Sequence, residues 1–233
     1  MVYNCLKTLH RWVLPARCRL CLAPGHADQE LCADCRQELP WSSPACRRCA
    51  LPLPADSPVE VCGKCRKAPA PLDGCAALFH YQAPIDQWIQ DLKFHQDLGA
   101  ARLLGQLLAE TLPGHDVAQA TLVVPVPLHR RRLRERGYNQ ALELARPLRR
   151  LGYPVTTLCC RRHRATAAQS GLPAAQRKRN LSNAFQAEGR LDGRRILLID
   201  DVLTTGSTLN ELARTLKRAG AAQVEARVIA RAV

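Results

Sequence analysis

Ile196-Leu197-Leu198-Ile199-Asp200-Asp201-Val202-Leu203-Thr204-Thr205-Gly206-Ser207-Thr208 is the stretch from which the rest of the chain is read. Four consecutive apolar residues, Ile196 to Ile199, predict a strand buried on both faces. Asp200 and Asp201 stand where that strand is expected to end, and Thr204 to Thr208 supply four hydroxyls around one glycine. A helix is expected at once. Leu209, Leu212, Ala213 and Leu216 have the spacing of a single buried stripe, Thr208 and Glu211 that of a capping box, and Gly220 is placed to stop the helix. Strand, small-hydroxyl loop and helix N-terminus together make an anion site, because free backbone N–H groups and the helix dipole converge on the loop. Adjacent acids repel a bare phosphate but accept from hydroxyls, so the pattern points to a sugar phosphate. The plain alternative is a polar turn between a strand and a helix.

Working outward, 233 residues suffice for one α/β domain of about 150 residues plus a small module. No apolar run approaches the roughly 18 residues of a membrane span, so no stable membrane insertion is expected. Residues 1–17 interrupt their apolar positions with Lys7, His10 and Arg11 and lack a signal-peptide pattern. A cytoplasmic location is therefore expected, with cysteines reduced or metal-bound. Leu6, Leu9, Trp12 and Val13 could line one side of a short helix there. The formal charge of +14 is concentrated: residues 129–180 hold fourteen Lys and Arg against two acids. Such a segment is either a solvated face or the seat of a polyanion, a pyrophosphate-bearing molecule or nucleic acid.

Eight of the twelve cysteines form four C-x-x-C pairs, Cys18/Cys21, Cys32/Cys35, Cys46/Cys49 and Cys62/Cys65. Two such knuckles satisfy one tetrahedral Zn²⁺, so four pairs predict two closed, structural four-cysteine zinc sites. Pairing in sequence order is the simplest; an interleaved arrangement has the same spacing. A redox role lacks the strand–helix context these proline-flanked pairs would need, and nothing specifically supports an iron–sulfur cluster. Eight thiolates with two Zn²⁺ would lower the formal charge from +14 to about +10. Cys5, Cys75, Cys159 and Cys160 fit no pair and are expected to be small buried hydrophobes. The module, residues 1–72, should end in the proline-punctuated stretch before a large domain of residues 73–233.

In that domain Ala76 to Tyr81 predicts a strand, and residues 84–111 a helical stretch that Gly99 could divide. Thr121 to Pro127 predicts a core parallel strand, followed by a basic loop over 129–140 and a helix over 141–151 that Pro147 could kink. Pro154 to Cys160 predicts another strand, then a long polar segment, 161–184, with the character of a lid. Val224 to Ala230 predicts the last strand. The order implies a parallel α/β sheet in which the basic loop and the 200–208 loop leave the same carboxyl edge.

The opening stretch resembles the ribose-phosphate loop of the type I phosphoribosyltransferases. A finer similarity, to the competence-type branch (ComF/GntX-like) of that family, rests on several motifs. They are the double zinc ribbon, Leu92-Lys93-Phe94, Pro125-Val126-Pro127-Leu128, Arg136-Gly137-Tyr138-Asn139-Gln140, and Thr166/Gln169, Arg177/Asn180 and Ala184/Phe185. Tyr138 stands where phenylalanine is common. The resemblance implies a parallel-sheet phosphoribosyltransferase core preceded by a Cys-rich double zinc-ribbon module. Asp200 and Asp201 would contact the ribose hydroxyls of phosphoribosyl pyrophosphate, and Thr204, Thr205, Gly206, Ser207 and Thr208 its 5′-phosphate. Arg130, Arg134, Arg136 and Asn139 would lie on the pyrophosphate side, with Mg²⁺ held mainly by the ligand. Three functions are compatible with this: phosphoribosyl transfer to an unidentified acceptor, sensing of phosphoribosyl pyrophosphate without turnover, and handling of single-stranded DNA alongside DNA-uptake proteins. Only three Phe, three Trp and four Tyr argue against an extensive base-stacking surface.

Overall fold

The computed structural model describes residues 16–26, 29–68, 70–112, 121–164 and 183–233. The chain divides into two compact units, Met1–Pro40 and Trp41–Val233. In the first, a Cys18–Cys21 knuckle is followed by a second that runs into helix α1, Ala33–Gln37. The division falls earlier than the end of the cysteine-rich sequence, because the second pair of knuckles, with helix α2 (Gly63–Lys67), packs as part of the larger unit.

The larger unit is built on a four-stranded, all-parallel sheet of β1 (Gly74–His80), β2 (Thr121–Pro125), β5 (Arg195–Leu203) and β6 (Gln223–Arg231), in the order β1-β6-β5-β2. Ile196 to Ile199 are buried on both faces, as a central strand requires. Ile196 and Leu198 join Leu209, Leu212, Ala213 and Leu216 of helix α7 (Ser207–Arg218) in one apolar cluster. On the other side α3 (Ile85–Phe94), α4 (Leu98–Glu110) and α6 (Gln140–Ala145) pack together, α6 against β5 and α4 against β6. Gly105 lets α4 approach α6: a Cβ there would come within 2.5 Å of the Leu144 carbonyl oxygen. Among the described residues no helix is long and apolar enough to cross a membrane.

Several local expectations change. The break in the 84–111 stretch falls at His95–Asp97 rather than at Gly99, because Asp97 accepts from the Ala100 N–H at 2.9 Å and caps α4. Residues 130–136 form a helix, α5 (Arg130–Arg136), not a loop. His129 caps it, an Arg131–Glu135 pair at 2.8 Å supports it, and Gly137 at φ +84° ends it. The expected strand over 154–160 reduces to one parallel bridge, Val155 to Val123. The Thr156 hydroxyl accepts from the Leu158 N–H at 3.1 Å and turns the chain out of the sheet. Strands β3 (Cys160–Arg162) and β4 (Phe185–Ala187) then pair antiparallel as a separate ribbon. Pro147 does end α6, and residues 146–151 continue as a 3-10 turn. Cys75, Cys159 and Cys160 are buried, as expected of small hydrophobes. Leu6, Leu9, Trp12 and Val13, on which a short helix is expected, Cys5 and the motif residues Thr166, Gln169, Arg177 and Asn180 lie outside the described residues.

Candidate active site

The acid pair is still within β5, which continues in register with β6 to Leu203. The two carboxyl groups interact with each other, yet their surroundings differ. Asp201 is 5% exposed, and the Lys93 ammonium lies 2.8 Å from its Oδ2. Its Oδ1 accepts from the Val202 N–H at 2.7 Å. Asp200 accepts from the Asp201 N–H at 3.0 Å. Burial, reinforced by the Asp201 charge, pushes the Asp200 carboxyl up to about 8, a rise that the Asp201 amide and Lys93 only partly offset. Asp200 thus keeps its proton more readily than an ordinary carboxyl does, and Asp201 is the lysine-paired partner.

After Leu203 the chain turns through Thr204 and Thr205 into Gly206, whose φ of +74° favours glycine. A Cβ on Gly206 would also stand 3.3 Å from the Asn210 side-chain nitrogen. Gly206 is the N-cap of α7, so the expected Thr208/Glu211 capping box does not form. Glu211 instead accepts from the Asn183 N–H at 2.9 Å and pairs with Arg214. No side chain caps the N-terminus from Gly206, the Thr205 and Ser207 hydroxyls are 2.8 Å apart, and the Ser207 N–H reaches Thr205 Oγ1 only at 3.4 Å. Below the loop, Arg231 Nη1 donates to the carbonyls of Leu203 at 2.9 Å and Thr204 at 2.5 Å, tying the turn to the end of β6.

The basic segment faces this edge from β2. Arg130 and Arg134 are exposed on α5, and Arg136 donates to Gln140 Oε1 at 2.5 Å. Asn139 is engaged at both ends of its amide: Oδ1 accepts from the Ala141 N–H at 3.0 Å and Nδ2 donates to the Val126 carbonyl at 3.1 Å. It holds the end of β2 to the start of α6. A cavity of about 660 Å³ lies beside the segment, its lining including His129, Arg130, Tyr138, Glu143, Arg161 and Arg162.

Two further cations approach the acids. Lys93 belongs to a tripeptide each of whose members touches the site. The Leu92 carbonyl accepts from the Tyr138 hydroxyl, Lys93 pairs with Asp201, and the Phe94 ring lies 6.0 Å from the Arg136 guanidinium while remaining 70% exposed. Arg162 of β3 is close enough to Asp200 to interact with it. Burial lowers the Arg162 pKa, Arg132 adds to that, and Asp200 opposes it. Lys93 carried a sequence signal, its place in the Leu-Lys-Phe motif; Arg162 carried none beyond its charge.

The cysteines group in sequence order, Cys18, Cys21, Cys32 and Cys35 in one set and Cys46, Cys49, Cys62 and Cys65 in the other, and within each set all Sγ atoms lie within 4.8 Å of one another. The Cys21–Cys32 and Cys49–Cys62 sulfurs are each 3.7 Å apart. That is the edge expected of a tetrahedron with Zn–S bonds of about 2.3 Å. Neighbouring thiols push Cys35 up, and burial together with neighbouring thiols pushes Cys65 up. A divalent cation relieves that crowding, so both sets fit structural zinc.

Comparison with known proteins agrees with this architecture. Residues 9–66 match the double zinc ribbon domain and residues 136–232 the phosphoribosyl transferase domain. The chain is 38% identical over 213 residues to the DNA utilization protein YhgH of Escherichia coli K12, covering 89% of this chain and 92% of that protein. It is 35% identical over 225 residues to competence protein F of Haemophilus influenzae, covering 93% and 97%. Among solved structures, the purine phosphoribosyltransferase of Pyrococcus horikoshii aligns with 57% of this chain and 86% of its own, at 18% identity and a TM-score of 0.33.

Proposed function

From the premise that the chain belongs to the competence-type branch of the phosphoribosyltransferase family, with its N-terminal double zinc ribbon, we propose that it binds phosphoribosyl pyrophosphate together with Mg²⁺ at the edge formed by β5 and β2. The observation that carries the reading is the run from acid pair to helix N-terminus. Asp200 and Asp201 lie near the carboxyl end of strand β5, and Thr204 to Thr208 lead directly into α7 through a left-handed glycine. Asp200 and Asp201 receive the ribose hydroxyls. Thr204, Thr205, Gly206, Ser207 and Thr208 receive the 5′-phosphate with main-chain N–H groups and hydroxyls. Arg130, Arg134 and Arg136 face the pyrophosphate, Arg162 and Lys93 screen the acids, and Asn139 positions the segment rather than the ligand. Mg²⁺ arrives with the ligand and neutralises part of its charge. Any transfer here is electrostatic: cations stabilise departing pyrophosphate while an acceptor reaches C1, with no strong general base.

The relatives' names connect them with competence and DNA utilization, and the basic segment suits a phosphate backbone. The reading therefore includes a role in the use of external DNA, in which ligand binding serves either turnover or sensing. Asp200→Ala with Asp201→Ala should abolish binding of phosphoribosyl pyrophosphate by calorimetry while circular dichroism stays unchanged. Unaltered affinity in the double variant would overturn the site. Release of pyrophosphate in a panel of nucleobases and metabolites, with the same variant as the blank, separates an enzyme from a sensor.

A further inference from the structure

The two zinc ribbons are an internal repeat, and the repeat isolates one residue. Cys18-Arg19-Leu20-Cys21 corresponds to Cys46-Arg47-Arg48-Cys49. The Cys18 N–H donates to the Ala23 carbonyl and the Cys46 N–H to Leu51, each at 2.8 Å. The Arg19 N–H donates to Glu30 and the Arg47 N–H to Glu60, each at 2.9 Å. The backbone is thus the same, and the side chain before the second cysteine is not: Leu20 in the first copy, Arg48 in the second.

Arg48 enters a particular place. With Cys49, Thr204, Thr205, Gly206, Asn210 and others it lines a cavity of about 50 Å³ behind the loop that starts α7. The second knuckle is anchored there twice. Cys75 of β1 donates its N–H to the Arg47 carbonyl at 2.8 Å, and Ala50 joins the apolar cluster that holds Leu203, Leu209 and Leu212. The Arg48 N–H bonds the Cys46 sulfur, and its guanidinium has no hydrogen-bond or ion-pair partner among the described residues. The same cavity is lined by Asn210 and Arg231, whose Oδ1 and Nε are buried without a hydrogen bond among the described residues. A guanidinium held by a rigid knuckle behind a phosphate-accepting turn adds positive potential where main-chain N–H groups converge.

We infer that Arg48 supports anion binding at the Thr204–Thr208 loop through its charge, so that the second zinc ribbon is part of the phosphate site. The inference rests on the ligand reading above and adds a residue to it that the phosphoribosyltransferase sequence motif does not contain.

The test uses the full chain with both ribbons metallated, checked at about two zinc per chain. Affinities for Mg²⁺ with phosphoribosyl pyrophosphate, for ribose 5-phosphate and for inorganic pyrophosphate are measured by calorimetry. Arg48→Ala should weaken the first two about tenfold, the scale of a lost charge-assisted contact, and leave pyrophosphate unchanged. Arg48→Lys should recover part of the loss, and Leu20→Ala should have no effect. Unchanged ribose 5-phosphate affinity in Arg48→Ala, or equal weakening of pyrophosphate, overturns the inference. Failure of the unmodified chain to bind phosphoribosyl pyrophosphate overturns the ligand reading instead.

Discussion

Leu22 and Ala50 occupy the same place in the two ribbons, just after the first knuckle, and both have left-handed backbones, with φ +64° and +53°. Leu22 is 71% exposed; Ala50 is fully buried and shares a cluster with the sheet and α7. One knuckle therefore serves two purposes. In the first copy its apolar side chain stays at the surface of a small unit. In the second, a methyl group in place of an isobutyl group lets the knuckle lie against a core. The grouping of four sulfurs is the same in both copies, and what differs is the side chains around the first knuckle.

The sharpest way to break this contrast is to disarm each ribbon in turn. Cys46→Ser with Cys49→Ser should unfold the second ribbon, whose zinc contributes on the order of 10 kcal/mol in isolated ribbon-like peptides. It should also lower the melting temperature of the sheet and eliminate ligand binding. Cys18→Ser with Cys21→Ser should remove one zinc and leave both other quantities in place. Equal effects from the two pairs would end the distinction.

The acid pair provides a second probe, because it reports only on the larger unit. An Asp whose folded pKa is raised to about 8 holds a proton that the unfolded chain releases near 4. Between those values, then, each rise in pH removes stability, and above about 8 no more is lost. Asp200→Asn should therefore melt higher than the unmodified chain at pH 8. The gap should close as the pH falls towards 4. Stripping the first ribbon should leave this pH profile unchanged, whereas a profile that is flat in both proteins would mean that Asp200 is ionised throughout.

A smaller effect comes from exchanging the corresponding residues. Ala50→Leu forces the larger side chain into the core and should cost about 1–3 kcal/mol in urea unfolding. Leu22→Ala should change stability by less than about 0.5 kcal/mol, as an exposed substitution does.

How much of this was legible beforehand follows from how local each signal is. The strand, acid pair and loop of 196–208 and the C-x-x-C spacing are contiguous patterns with one physical meaning each, and both survive in the structure. Sequential pairing of the cysteines needed coordinates, since interleaving has the same spacing. Lys93 lies more than a hundred residues from Asp201, and on an amphipathic helix its charge resembles any solvated lysine. Helix α5 was missed because six of its seven residues are charged, leaving no apolar stripe to detect. Over 154–160 the β-branched residues signal extension, while the Thr156 hydroxyl diverts the chain.

Helix α7 begins at a glycine and has no side chain of its own bonded across its first turn from that position. Most helices complete that end with a serine, threonine or aspartate from their own sequence. Here an incoming phosphate group would take the part of the capping residue, so occupancy of the loop and order in the helix become a single equilibrium. The amide hydrogens of Ser207 to Leu209 should then exchange more slowly in proportion to the ligand bound.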